Sequence, residues 1–315
     1  MRTLALGFTT LFVLCCLALG CGGKKTNPGA ATPTGSSAMD DPIALLPSAP
    51  LVAGNVDAKA FFASASAGAQ IAQLVEKLVP IGEEAGFSPS RDVERVVFGV
   101  YSMQGADVAA VIVGKLDPQK IRALAASQAP TKGGGVLVAS QYAGRDLYTI
   151  SNVGFTVLSE RLALAGSETG IRRTLDRIKD GRVKRDMPEW MIQVLETQGA
   201  AVAVAGDFTN QPVAAPGGGM FNLGFVQQMK TARVLANFKE PGVQVAASIG
   251  FPDGAQAGQA AEAITKLIGI GNLAGITIRD PKVAVAQNDV QATFAVDDQM
   301  LRTLATSLPQ WLGMR

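Results

Sequence analysis

Two spacings of hydrophobic residues alternate along this chain, and each predicts a different kind of secondary structure. Val243, Val245 and Ala247 alternate with polar Gln244 and, further on, Ser248. A period of two predicts a strand with one buried and one solvated face. Other stretches place apolar residues three or four positions apart, which predicts amphipathic helices.

In the first half, these spacings and the turn residues between them predict helices that alternate with groups of strands. Asp117-Pro118 and Ser167 are typical helix starts, and Ala143-Gly144 is typical of a tight hairpin turn. The predicted elements are strand 51–57, helix 58–79, strands 93–101 and 107–116, a helix after Asp117, strands 136–142, 145–151, 155–158 and 162–166, and a helix after Ser167.

The second half repeats this order of elements, although not the residues themselves. The predicted elements are strand 200–207, a short helix near 220–229, strands 231–238 and 243–250, a helix from Asp253, strands 276–279, 282–287 and 290–296, and a last helix capped by Asp297. Asp280-Pro281 and Asn288-Asp289 are the expected turns of the final meander.

The elements predict an α+β fold of two similar lobes, each an antiparallel sheet with helices largely on one face, after a disordered tether. The expected division is a signal peptide at 1–20, a lipidated disordered tether at 21–41, a first lobe at 42–185 and a second lobe at 186–315. The order of elements is also compatible with one continuous sheet built from both halves.

The amino terminus has the three parts of an export leader. Arg2 supplies a positive charge, an apolar run extends over 4–19, and small Gly20 precedes Cys21. The motif Leu17-Ala18-Leu19-Gly20-Cys21 resembles the lipobox of bacterial lipoproteins. The alternative is an uncleaved membrane anchor, but the apolar run is shorter than the ~20 residues that a spanning helix needs.

The lipoprotein resemblance implies that Cys21 carries the lipid, including palmitate-type acyl chains, and that the leader is removed before it. The following 20 residues are rich in Gly, Pro, Ser and Thr, which is typical of a flexible tether. Gly22 stands where an aspartate retains many such proteins at the inner membrane. The expected location is therefore the outer membrane, with the folded part facing the periplasm.

Composition excludes several kinds of chemistry. The chain has no histidine, and Cys15 and Cys16 leave with the leader, so only the lipidated Cys21 remains. Triads with histidine and Cys/His zinc sites are therefore impossible. We expect no metal, no cofactor and no catalytic residue.

Charge gives no indication of a nucleic-acid partner. The chain has 28 Lys and Arg against 26 Asp and Glu, and only Arg2 lies in the leader, so the mature part carries 27 against 26. A nucleic-acid binder would show a clear basic excess.

One local excess of positive charge is the candidate binding site. The segment 171–186 contains seven basic and three acidic residues. The basic residues could face an anionic lipid or an acidic envelope protein, or they could simply form a solvated helix face and linker. They are Arg172, Arg173, Arg177, Lys179, Arg182, Lys184 and Arg185.

A second resemblance is limited to short motifs. Ala44-Leu45-Leu46-Pro47 before the first strand, and a Gly-Ser turn into an Arg-rich helix within 162–177, are similar to uncharacterised exported bacterial proteins. That family implies no activity.

The sequence thus predicts a membrane-anchored envelope lipoprotein that binds or scaffolds rather than catalyses. Two alternatives remain: a carrier of apolar ligands such as lipids, with an enclosed cavity, and a hydrolase that uses carboxylates or lysine.

Overall fold

The structure is a computed structural model, and it describes residues 38–65, 68–102, 107–150, 153–213, 224–238, 242–273 and 278–297. Cys21 and most of the predicted tether lie outside these ranges, as does the predicted last helix after Asp297. Within the described ranges, no helix is both long enough and apolar enough to cross a membrane.

Eight α-helices occur in the described residues. They are α1 (Pro42–Leu45), α2 (Ala58–Ala63), α3 (Gly68–Leu78), α4 (Pro89–Asp92), α5 (Pro118–Ser127), α6 (Glu168–Lys179), α7 (Glu189–Leu195) and α8 (Gly254–Leu273). Short 3₁₀ turns lie at Ala38–Asp40, Glu83–Ala85 and Gly224–Gln228.

Twelve strands occur in the same ranges, which confirms the α+β class. They are β1 (Val52–Asp57), β2 (Val93–Ser102), β3 (Asp107–Gly114), β4 (Val138–Tyr142), β5 (Arg145–Ile150), β6 (Val153–Ser159), β7 (Leu162–Gly166), β8 (Val202–Asp207), β9 (Thr231–Phe238), β10 (Val243–Gly250), β11 (Ile278–Ala286) and β12 (Asp289–Val296).

Residues 71–192, with the described residues up to 63, form one compact unit, which we term the first unit. Its strands are hydrogen-bonded in the order β1-β2-β3-β7-β6-β5-β4, and each neighbouring pair is antiparallel. Helix α6 packs against β3, β6 and β7.

The second unit comprises the described residues of 64–70 and those from 193 onward. Its strand order is β8-β9-β10-β12-β11, again antiparallel throughout. Helix α8 packs against β11 and β12. The predicted alternation in β10 is confirmed, because Val243, Val245 and Ala247 are buried and Gln244 is exposed.

The two units share one rule of strand order. In each unit a hairpin (β2–β3 or β9–β10) is followed by a helix (α5 or α8) and then by a meander. The last strand of the meander pairs with the second strand of the hairpin. That last strand is β7 in the first unit and β12 in the second. The repetition expected from the order of elements is thus present in the strand order of each unit.

Apolar side chains from the helices and the sheet fill the core of the first unit. Ile121 and Leu124 of α5 pack with Leu137, Ile150 and other residues of the sheet, and all four are buried. The rings of Tyr148 and Phe155 stack in this core, with centroids 5.2 Å apart.

Several helix predictions are corrected by the structure. The helix predicted over 58–79 consists of α2 and α3, which are separate helices. Helix α7 falls in a stretch for which no element was predicted, and its Met191 and Leu195 are both fully buried. The unit boundary after residue 192 lies inside this helix, whereas the sequence placed the division after residue 185.

Two further differences concern strands and the tether. The strands predicted over 276–279 and 282–287 are a single strand, β11, whose register shifts between Arg279 and Lys282. Asp280 has a positive φ of 50°, so the expected turn is a bulge. At the end of the predicted tether, Ala38–Asp40 form a 3₁₀ turn and Asp41 caps α1.

Candidate functional site

The helix that carries the first part of the basic segment begins in close contact with β3. The Ser167 hydroxyl accepts hydrogen bonds from the Gly170 N–H at 3.0 Å and the Val108 N–H at 3.3 Å. Gly166 has a φ of 143°, and a Cβ there would lie 2.2 Å from the Val108 carbonyl oxygen. Only glycine fits this position, so the Gly-Ser pair fixes where α6 starts.

The apolar stripe of α6 orients its basic residues. Ile171 and Leu175 are fully buried, at 0% and 1% exposure, and they turn Arg172 and Lys179 toward solvent. The basic residues of α6 therefore point in different directions around the helix axis, and their surroundings differ.

Two arginines of α6 lie over aromatic rings and also pair with acids. Arg172 forms an ion pair with Glu168, and its guanidinium lies 4.6 Å from the centre of the Tyr142 ring. Arg173 binds Asp107 at 2.6 Å and lies 4.4 Å from the centre of the Tyr101 ring. Cation–π contacts of this kind add about 0.5–1 kcal/mol at exposed positions.

Arg177 is buried, which corrects the expectation that it lies on a solvated or anion-facing surface. Its side chain is 6% exposed. Nη1 donates to the Ser48 hydroxyl and Nη2 to the Lys184 carbonyl, both at 2.6 Å, and the guanidinium lies 3.5 Å from Asp186. Its charge is directed at atoms of the protein and is not available to an external anion.

Of the other cations of the segment, two form ion pairs with described residues and two do not. Arg182 pairs with Asp180 at 2.6 Å, and Arg185 pairs with Asp41 at 2.7 Å. Lys179 and Lys184 are exposed, and neither makes an ion pair with any residue that the structure describes. The structure therefore does not bring the seven residues together as one open cationic face.

Instead, the segment attaches the start of the folded chain to the first unit. Arg185 holds Asp41, and Arg177 holds Ser48. The Ser48 hydroxyl donates to Asp186 at 2.7 Å, and the Ala49 N–H donates to the Asp186 carbonyl at 3.0 Å. We call residues 41–49 the anchor segment. Ile43, Ala44, Leu45 and Leu46 in it are at most 3% exposed.

Tyr101 adds a further attachment, because its hydroxyl donates to the Pro47 carbonyl at 3.0 Å. Burial raises the pKa of this tyrosine, although the charges of Arg173 and Arg177 oppose the rise. The phenol stays protonated and keeps its donor role across the physiological pH range.

Asp186 is the acid at the centre of the attachment. The hydrogen bond from Ser48 lowers the pKa of its carboxyl, burial opposes this shift, and the charges of Lys184 and Arg177 reinforce it. The carboxylate therefore stays ionised at neutral pH and can accept from Ser48 while it faces Arg177.

Three acidic residues that lie beside another acid in the sequence have partners within the protein. Asp41 accepts from the Ile43 and Ala44 N–H groups, Glu83 pairs with Arg91, and Glu84 accepts from the Lys132 N–H. Among the described residues, no three acidic, cysteine or histidine side chains come together as metal ligands do.

A groove of about 400 Å³ lies within the second unit, on the sheet formed by β9, β10, β12 and β11. Leu235, Ala246 and Phe294 supply apolar lining, and Gln244 and Lys282 supply polar groups. The sequence did not indicate this groove, because its residues come from four strands and from the turn before β8 and meet only in the folded unit. It is open to solvent and could hold a ligand of mixed polarity.

The fold is similar to that of TP0453. The crystal structure of its form III matches with a TM-score of 0.55 and 10% sequence identity, over 85% of this chain and 98% of that chain. Forms I and IV both match with a TM-score of 0.52, at 9% and 10% identity, and cover 97% and 96% of the TP0453 chain. At such low identity the likeness concerns the fold alone.

Neither a protein-family model nor a curated protein matches the sequence.

Replacing the buried arginine should destabilise the protein. Arg177→Met roughly keeps the length of the side chain but leaves Ser48 and the Lys184 carbonyl without this donor and Asp186 without this ion-pair partner. We expect a loss of about 2 kcal/mol in the free energy of unfolding, measured by urea denaturation. Lys184→Met, at an exposed position, is the control and should change it by less than about 0.5 kcal/mol. Equal effects of the two substitutions would contradict the attachment role of Arg177.

The stability contributed by Asp186 should depend on pH. Its folded-state pKa is lowered, so this contribution is present above the unfolded value of about 3.9 and is lost as the pH falls through the folded pKa. Asp186→Asn should therefore be less stable than the parent at pH 7, and the difference should shrink toward pH 2.5. Urea denaturation at both pH values measures it. A difference that is independent of pH would show that the carboxylate charge is not involved.

Proposed function

We propose that this protein is a bacterial envelope lipoprotein, anchored through a lipid on Cys21, that binds or scaffolds other envelope components without catalysis. The observation that carries the proposal is the sequence pattern of an export leader, which ends at Gly20-Cys21 and is followed by a stretch rich in Gly, Pro, Ser and Thr. The outer membrane, with the folded part in the periplasm, is the proposed location, because Gly22 follows the cysteine.

The anchor segment supports this proposal. A lipid at Cys21 would hold the body through the chain up to residue 40, so any pull from the membrane would reach the first unit at residues 41–49. Arg177 and Arg185 fix that stretch through Ser48 and Asp41. A tethered body benefits from such an attachment, because pulling then meets buried side chains and paired charges rather than a frayed end.

Binding is favoured over the enclosed carriage of an apolar ligand by the form of the grooves. The groove of the second unit and the groove beside Val138 in the first unit each have a volume of about 400 Å³, and both are open to solvent. A lipid carrier needs an enclosed apolar cavity that covers most of its ligand. Open grooves of mixed lining fit a partner that docks at the surface.

The absence of catalysis is proposed from the sequence. The chain has no histidine, and its one cysteine outside the leader would carry the lipid. A carboxylate enzyme would need two acids that converge on a substrate. Asp41 instead caps α1, and Glu83 pairs with Arg91.

Cys21→Ser tests the anchor directly. The variant should no longer incorporate a fatty-acid analogue in metabolic labelling, and it should leave the membrane fraction. Cys16→Ser, which changes a thiol of the leader, is the matched control and should be labelled like the parent. Labelling of the Cys21→Ser chain at the parental level would contradict lipidation at this residue.

The exposed lysines test whether part of the basic segment contacts an anionic membrane. Each basic residue near such a surface contributes about 1 kcal/mol, so Lys179→Glu with Lys184→Glu should weaken binding to vesicles that contain phosphatidylglycerol by at least tenfold. The loss should shrink as salt is raised, because salt screens the charges. Cosedimentation measures it.

The paired Arg182 gives the control for this experiment. Arg182→Gln should have a smaller effect, because its charge is already partly neutralised by Asp180. Equal cosedimentation of the parent and the double lysine variant at low salt would mean that the segment serves only to attach residues 41–49.

A further inference from the structure

The groove of the second unit has one face of its sheet as its floor. Ala246 of β10 lies opposite Leu235 of β9 and Thr293 of β12. Thr293 in turn lies opposite Lys282 of β11. Directly opposed residues of antiparallel strands project from the same face. These side chains therefore form one row across the strands, and all of them line the groove.

A second row lies two residues further along the strands and gives the floor its polar character. Gln244 lies opposite Asn237 of β9 and Ala295 of β12. Gln244 and Asn237 are exposed. The Asn237 Oδ1 atom accepts from the Ala201 N–H at 2.8 Å, so its amide nitrogen is left as a donor. The floor thus combines side-chain amides with alanines, whose small side chains leave open space above them.

The end of the groove on β11 is formed by the bulge. The register with β12 shifts between Arg279 and Lys282, and Asp280 has a φ of 50°. A bulge changes the direction in which side chains project, and bulges are frequent beside functional sites. Asp280 and Lys282 both line the groove, and both are exposed.

Asp280 and Lys282 bring opposite charges to this end, and these charges do not pair. Neither residue forms an ion pair with the other, or with any further residue that the structure describes. Asp180 and Arg182 have the same spacing along the chain and do pair, at 2.6 Å. The charges at the bulge are therefore available to a ligand that carries both signs.

We infer that the groove binds a free α-amino acid with a neutral polar side chain. Such a molecule carries its ammonium and its carboxylate on the same carbon, so both charges can meet Asp280 and Lys282 at one end of the groove. The side chain then extends over Ala295 toward the amide of Gln244. The inference rests on the binding role proposed above, and it names the ligand class for one of the open grooves.

Charge complementarity selects this class over its alternatives. An anion would be repelled by Asp280, and a cation would be repelled by Lys282. A peptide of several residues carries its terminal charges at opposite ends and cannot bring both of them to the bulge. A single amino acid satisfies both side chains at once.

The dimensions of the groove agree with a small ligand. Neighbouring strands lie about 4.8 Å apart, so the floor extends over about 10 Å from β11 to Gln244 on β10. The volume of about 400 Å³ falls within the range of about 300–1,000 Å³ that is usual for ligand sites. Because the groove is open, binding should be weak and should depend on the ligand's side chain as well as on its charges.

L-Glutamine is the probe, because its side chain ends in an amide and is long enough to approach Gln244. Ligand-observed NMR titration of the full chain, purified in detergent, measures the dissociation constant. Glutaramate lacks the ammonium of glutamine, and 4-aminobutanamide lacks its carboxylate. We expect each analogue to bind about fivefold more weakly than glutamine, which is the scale of one exposed ion pair.

Two substitutions at the bulge identify which charge meets which residue. Asp280→Asn keeps a residue that tolerates the positive φ, and it should weaken the binding of glutamine about fivefold without weakening that of glutaramate. Lys282→Met should weaken the binding of glutamine to a similar extent without weakening that of 4-aminobutanamide. Glu262→Gln and Lys266→Met are the controls, because both positions are exposed on α8 and lie outside the groove.

The floor gives a test that does not involve charge. Ala246→Leu should weaken the binding of glutamine at least about tenfold, because the larger side chain fills the space above the row. Ala284→Leu is the matched control and should leave binding unchanged, since Ala284 is exposed on β11 and does not line the groove.

Several outcomes would overturn the inference. Equal binding of glutamine and its two analogues would show that the charges of the ligand are not recognised, and equal losses from the bulge variants and the α8 controls would place binding elsewhere. The absence of saturable glutamine binding to the parent chain, whose fold circular dichroism verifies, would exclude the site. None of these readouts depends on the lipid. The labelling of Cys21 therefore tests the anchor separately, and a failure of the ligand site is distinguishable from a failure of the proposed lipoprotein.

Discussion

The guanidinium of Arg177 is the interaction on which the attachment of the amino-terminal segment depends. It joins the end of α6, the Lys184 carbonyl and Ser48, which lies 129 residues away in the chain. A buried charge is tolerated only when oxygens surround it, and the planar fork of arginine can reach two of them at once. A lysine at this position would carry its charge on a single nitrogen, without the planar fork of arginine. The exposed pairs of the same segment, such as Arg182 with Asp180, contribute much less because water screens them.

The period of hydrophobic residues was sufficient to predict most of the fold. The Ser167 cap, the stripe with Ile171 and Leu175, and the alternation of β10 all follow from local sequence. The register shift in β11 was not predictable in this way. Asp280-Pro281 has the composition of a turn, and only pairing with β12 on both sides of it keeps the strand continuous.

The role of Arg177 could not be predicted for a related reason. Along α6 it is one of several arginines at the border of the apolar stripe, and its acceptors lie on other segments. Helix α7, in contrast, has a recognisable sequence pattern. Met191, Ile192 and Leu195 follow Pro188 with the spacing of one helix face. The helix has only seven residues, and no element was predicted between the helix after Ser167 and the strand from residue 200.

The likeness to TP0453 at 10% identity indicates what specifies this architecture. Few residues are shared, so strand order, burial pattern and turns must carry the fold, and side-chain roles cannot be transferred. The chemistry of this chain depends on its own residues. Beyond Cys21 the sequence has neither thiol nor imidazole, so the described structure depends on packing, hydrogen bonds and ion pairs.

The order in which strands return to the sheet also affects how the chain can fold during synthesis. Val111 of β3 pairs with Leu164 of β7, and Val245 of β10 pairs with Phe294 of β12. In each unit the second hairpin strand, β3 or β10, has no partner on its outer side until the last strand of the meander, β7 or β12, has been made. Contacts between such distant residues form slowly. A chain that is synthesised from its amino end would therefore keep each sheet incomplete until late, and the second unit would close only after nearly the whole polypeptide had emerged.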